Sequence, residues 1–250
     1  MPPPDYHDYY TWQADVPGFS HDAQENLRQS TALISRVGGL GGPLAFSLAT
    51  AGVGRIILAH AGDLRPDDLN RQLLMTHDGL GQPRHQQAAA TLRRFNPALE
   101  IESIGENFTE ENAASLVSRA DIVFSCAPLF EERLLMNREA VSQNKFFVDG
   151  AMHSLEGHVL AVRPHESPCL ACLIKAPPPS WKRRFPVIGA VSALVAQIAA
   201  LEGIKLLTGY APAHTGVLLH VDTLTMRLKH LKILRDPECP HCGQDTLPSR

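Results

Sequence analysis

The chain has 250 residues, of which 44% are hydrophobic and 20% charged, and its formal net charge is −3. These values suit a soluble globular domain with a full core, and the slight acidity gives no reason to expect nucleic acid or an anionic membrane as the main partner. Charged or polar residues interrupt the long apolar stretches, so no membrane span is expected. The opening MPPPDYHDYY has neither the basic n-region nor the apolar h-region of a secretory signal. A cytoplasmic protein is therefore expected, where disulfides are disfavoured and paired cysteines read as metal ligands.

Residues 1–20, rich in proline, tyrosine and aspartate, read as irregular. A short polar helix is predicted over 21–30 and an apolar strand over 31–37, running straight into Gly38-Gly39-Leu40-Gly41-Gly42. A helix of small residues follows over 43–51, ended by Gly52 and Gly54. Strands over 55–60, 99–104, 121–126 and 145–149 alternate with helices over 86–95, 110–119 and 131–143. That alternation implies βαβ units with right-handed crossovers: an α/β, Rossmann-like, mostly parallel sheet with helices on both faces. After Gly150 the pattern changes. A strand is expected over 157–163, a basic, proline-rich loop over 177–186, a long apolar helix over 188–208 and an antiparallel edge pair over 217–224 and 226–233. No internal repeat or low-complexity linker interrupts the chain, which reads as one domain over 1–250.

Cys169-Leu-Ala-Cys172 and Cys239-Pro-His-Cys242 are two Cys-x2-Cys pairs. Each suits a tight turn presenting two thiolates, and together they complete a closed tetrahedral four-cysteine site of the structural zinc type. The alternatives are two redox dithiols or core-filling cysteines, with His241 as a substitute ligand. The fifth cysteine, Cys126, stands at a strand end, as a small buried residue or a persulfide carrier.

Arg36-Val37-Gly38-Gly39-Leu40-Gly41 sits where a G-x-G-x-x-G phosphate loop would sit, after a strand and before a helix. Arg36 replaces the first glycine, so its β-carbon crowds the turn or forces another. The acid that would hold a ribose at the end of the second strand is His60, with Asp63 three residues on. A glycine turn serving only strand–helix packing is the simpler alternative.

Taken in order, GGLGG, AGVGRIIL, DDLNRQ, GQPR, FNP and the two Cys-x2-Cys pairs resemble the HesA/MoeB/ThiF family, bacterial relatives of ubiquitin-activating enzymes, with AGD, FEERLLMN and VIGAVS nearest to HesA. The resemblance implies adenylation of the C-terminal Gly-Gly carboxylate of a ubiquitin-like sulfur-carrier protein, using ATP and Mg2+, in sulfur, molybdenum or other metal-cofactor biosynthesis. It also implies a homodimer. Gly38, Gly39 and Gly41 match the nucleotide loop, Arg71 the phosphate-gripping arginine, and Gln72 follows it. Arg84 replaces a lysine, and Asp68 replaces an asparagine and would face nucleotide or metal. Catalytic roles thus fall to Arg71, Arg84 and Asp68, with Asp63 a candidate for the ribose; Asp63, Asp67 or Asp68 would have to supply the metal contact. The family's magnesium-binding aspartate is replaced by Pro128, its N-terminal arginine by Trp12, and its crossover-loop cysteine is absent from 181–189. Lys182-Arg183-Arg184 would clamp the carrier tail or form a solvated charge run. A second reading is a catalytically degenerate zinc-containing scaffold; a third, a nicotinamide-dependent oxidoreductase, lacks its ribose acid and a catalytic pair.

Overall fold

The structure is a computed structural model and describes residues 6–177 and 185–243. A 3-10 turn at Tyr6–Tyr10 leads to α1 (Thr11–Ala14), α2 (His21–Gln29), β1 (Thr31–Ser35), α3 (Gly41–Ala51) and β2 (Arg55–Ala59). Then come α4 (Arg84–Phe95), β3 (Glu100–Ile104), α5 (Ala113–Ser118), β4 (Ile122–Ser125), α6 (Phe130–Ser142) and the hairpin β5 (Phe146–His153) and β6 (Glu156–Val162). The chain continues through α7 (Leu170–Leu173), α8 (Gly189–Thr208), β7 (Val217–Asp222) and β8 (Arg227–Lys232).

All eight strands form one sheet, ordered β3-β2-β1-β4-β5-β6-β7-β8. The β3-β2-β1-β4-β5 part is parallel and the remainder antiparallel. The parallel strands TALIS, RIILA and IVFS read as apolar runs because helices cover both faces. Ile34, Ile56, Phe124 and Val148 pack on one face beneath α3, α4 and α8. Leu33, Ile57, Val123 and Phe147 pack on the other beneath α5 and α6.

Four expectations are adjusted. The N-terminal segment is ordered from Tyr6: its hydroxyl donates to the Gly52 carbonyl (2.9 Å), while Gln13 and Gln24 donate to the Ala51 carbonyl, so the segment caps the end of α3. Helix α5 begins at Ala113 rather than 110, because Asn112 accepts from the Thr109 N–H and donates to the Asn107 carbonyl, a local turn that competes with helix. Strand β5 runs past Gly150 to His153, since its antiparallel pairing with β6 continues through Ala151 and Met152. The antiparallel region is thus wider than an edge pair. Finally, α8 is long and apolar enough to cross a membrane by length and composition, contrary to the expectation that every such stretch is interrupted. In this fold it packs against α2, α3, β5 and β6 as a core helix. Its buried Glu202 is satisfied by Lys205 (2.7 Å) and by the backbone N–H of His214 (2.6 Å).

Candidate nucleotide pocket and metal centre

A cavity of about 190 Å³ opens above the carboxyl ends of the parallel strands, the place where open α/β sheets bind ligands. Its floor is the turn between β1 and α3. Arg36 adopts φ +60°, the left-handed conformation a glycine would supply there. For a residue with a β-carbon this costs about 1–2 kcal/mol. The turn is therefore retained, and the crowding expected of Arg36 is resolved by its conformation. Two observations keep it there. The Gly38 N–H donates to the Arg36 carbonyl (2.6 Å), and the guanidinium forms a buried pair with Glu132 of α6 (2.6 Å). Gly41 must be glycine, because a β-carbon would come within 2.5 Å of the Arg36 carbonyl oxygen.

The segment after β2 supplies the opposite wall. Asp68 is buried at the end of a 3-10 turn over Pro66–Asp68. It accepts from the Arg65 N–H (3.0 Å), from Arg84 Nη2 (2.6 Å) and from Arg71 Nη2 (3.3 Å). Burial pushes its carboxyl up, but hydrogen bonds from Arg84 and the Arg65 backbone outweigh it and hold Asp68 below the usual carboxylate range. Both arginines thus converge on one carboxylate and line the cavity. The Arg71 stem lies against the glycine loop, since a β-carbon at Gly39 would sit 2.8 Å from Arg71 Cγ. Gln72 also lines the cavity, and its buried Oε1 has no hydrogen-bond partner among the described residues. His60, at the end of β2, lines the cavity as well; Asp63 and Asp67 are exposed and do not.

Three further charged residues escaped sequence reasoning. Arg133 of α6 donates to Asp149 of β5 (2.9 Å), both fully buried, and approaches His158 Nε2 (3.1 Å). Burial opposes ionisation of Asp149, yet Arg133 and His158 hold it well below the usual carboxylate range. Glu132 is the partner of Arg36. A signal was present in FEERLLMNREA, where Arg133 and Asn137 fall in helical phase with the core residues Met136 and Ala140. Cys126 lines the cavity too; burial, aided by the Asp149 charge, pushes its thiol well above its ordinary range, so the reactive thiolate is suppressed.

Pro128 lines the cavity where the resemblance places a magnesium carboxylate. Asp68, Glu132 and Asp149 are each already paired with arginine. The described residues therefore do not fit a side-chain-held magnesium site. Trp12 is 90% exposed and does not line the cavity. Residues 182–184 lie outside the described residues.

One helical turn beyond Arg133 on α6, beside Asn137, the four cysteines meet. Cys169 and Cys239 sulfurs are 3.7 Å apart, Cys172 and Cys242 sulfurs 3.4 Å, and all four lie within 4.8 Å of one another. Tetrahedral Zn–S bonds of about 2.3 Å require sulfurs about 3.8 Å apart, so the cluster fits a zinc site. The hydrogen bond with Cys169, and burial, push the Cys242 thiol up to about 12; a cation in the cluster would reverse this by stabilising thiolates. His241 is not among the converging ligands. Its Nδ1 meets the side-chain amide of the buried Asn137 (2.7 Å), whose oxygen accepts from the Leu170 N–H (2.9 Å). Arg235 clips the last turn by donating to the Cys242 (2.9 Å) and His165 (2.8 Å) carbonyls.

Fold and site together define an E1-like, ThiF-type α/β protein. The ThiF family model matches residues 10–241, and the chain belongs to that family. Within it the chain is 44% identical to Protein HesA of Leptolyngbya boryana over 94% of its length and 84% of that protein's. It is 32% identical to the sulfur carrier protein adenylyltransferase of Thermus thermophilus, over 95% and 91% of the two chains. Among solved structures, E. coli MccB superposes with a TM-score of 0.85 at 20% identity, covering 98% of this chain and 75% of that one.

Proposed function

We propose that the chain is an ATP-dependent adenylyltransferase that activates the C-terminal carboxylate of a ubiquitin-like sulfur-carrier protein ending in Gly-Gly, in sulfur, molybdenum or other metal-cofactor biosynthesis. The observation that carries this is the convergence of Arg71 and Arg84 on Asp68 beside the Gly38–Gly39 turn, all lining one cavity. The relatives named as adenylyltransferases supply the reaction class. In that reaction a carrier carboxylate oxygen bonds to the α-phosphorus of ATP, and the bond to the β-phosphate bridging oxygen breaks to release pyrophosphate. The backbone amides of the turn and the two guanidinium groups would hold the phosphates and neutralise charge. Gln72 Oε1 would accept from the sugar or base, and Asp68 would act through the arginines by orienting them. The four-cysteine cluster would hold zinc as a structural ion, since four sulfurs leave no open coordination position. The protein would work in the cytoplasm as a homodimer, packed through the outer side of α8, where Leu194 and Leu201 are exposed.

The test is ATP–pyrophosphate exchange with a carrier ending in Gly-Gly, in which Arg71→Ala should abolish carrier-dependent exchange. The pairing of Asp68, Glu132 and Asp149 with arginine favours a second reading, a nucleotide-binding scaffold without turnover. It predicts ATP binding with no exchange.

A further inference from the structure

This inference rests on the nucleotide reading of the cavity and concerns how the phosphate charge is neutralised there. Three carboxylates lie in or directly behind the cavity wall, and both oxygens of each already meet an arginine. Asp68 is held by Arg71 through Oδ1 and by Arg84 through Oδ2. Glu132 is held by Arg36 through both oxygens, at 3.0 Å from Nε and 2.6 Å from Nη2. Asp149 is held by Arg133 through both oxygens. A divalent cation binding any of them would lie within a few ångströms of a guanidinium, a repulsion that a partly dry site does not screen. Among the described residues, four arginines line the cavity (Arg36, Arg71, Arg84, Arg133). Set against the three carboxylates, these four guanidinium groups leave one positive charge in excess among the described residues.

Two further observations agree. Pro128 removes the one carboxylate that the resemblance would place at the cavity wall. Arg36 brings a cation into the phosphate turn itself, on a backbone conformation that disfavours any residue with a β-carbon. Strain at a ligand-facing turn, held by a buried partner, is a feature of functional positions. The acidic residues nearest in sequence, Asp63 and Asp67, are exposed and outside the cavity.

We propose that this cavity takes its nucleotide as the metal-free polyanion, with arginine guanidinium groups in place of a side-chain-held magnesium ion. Titration calorimetry of the full chain with ATP, once in excess EDTA and once in excess magnesium chloride, tests it directly. The expected result is an affinity in EDTA equal to or greater than that in magnesium, within about threefold. Binding more than about threefold tighter with magnesium overturns the inference while leaving the nucleotide reading intact. Absence of binding in both arms overturns the reading and the inference together. A second variant sharpens the comparison: Pro128→Asp should create a magnesium dependence of about tenfold that the native chain lacks. If the native chain already shows the magnesium dependence expected of Pro128→Asp, the inference falls.

Discussion

Arg133 and Asn137 stand one helical turn apart on the same side of α6 and reach two different sites. Arg133 binds Asp149 at the cavity, and Asn137 bridges Leu170 and His241, one from each cysteine turn. One helix therefore fixes the spacing between the glycine turn at the cavity and the four-cysteine cluster. Replacing Asn137 by alanine removes both bridging hydrogen bonds while leaving all four sulfurs. The expected outcome is a loss of zinc affinity of roughly 10- to 100-fold, the cost of deleting a residue that orients metal ligands. Competition with a chromophoric chelator measures it, and an unchanged affinity would show that the cysteine turns hold themselves.

Arg133→Met strands the Asp149 carboxylate in the core and should destabilise the protein by about 3–5 kcal/mol. The pH dependence follows from the sign of the Asp149 shift. Its folded value lies below the ordinary aspartate value of 3.8. The stabilisation is therefore fully present above that value and is lost as the pH falls through it toward the folded value. Melting temperatures recorded from neutral pH down to about pH 3 should fall steeply at the acid end, and Asp149→Asn should flatten that fall. A native curve with no steeper acid limb than the variant's contradicts the assignment.

Arg36→Gly relaxes the left-handed strain yet leaves Glu132 buried without its partner. The net expectation is a loss of about 1–3 kcal/mol in denaturant unfolding. Adding Glu132→Gln should recover most of it, because a neutral amide is cheaper to bury than an unpaired carboxylate. If Arg36→Gly alone stabilises the protein, the buried ion pair is not what holds the turn.

Alternation of apolar strands with helices made the parallel half of the sheet legible, and the paired Cys-x2-Cys spacing marked the metal cluster. The charged network was harder to see. Glu132 looks like an ordinary surface residue of a helix, only helical phase marks Arg133, and the burial of both is decided by Arg36 and Asp149, which other parts of the chain supply. The N-terminal cap escaped notice for the same reason, since Tyr6 and Gln13 act on Ala51 at the end of α3 and on Gly52 just beyond it. Arg71, Arg84 and Asp68 were located through motif order. Their mutual geometry depends on the 3-10 turn over Pro66–Asp68, which has no periodic signature.

The most direct test of the cradle is ATP titration calorimetry on the native chain beside Arg71→Ala and Arg84→Ala, with melting curves confirming that each variant is folded. Each guanidinium supplies charge-assisted hydrogen bonds worth about 1.5–3 kcal/mol, so each variant should lose about tenfold or more in affinity. ATP binding with undiminished affinity in both folded variants would contradict the account.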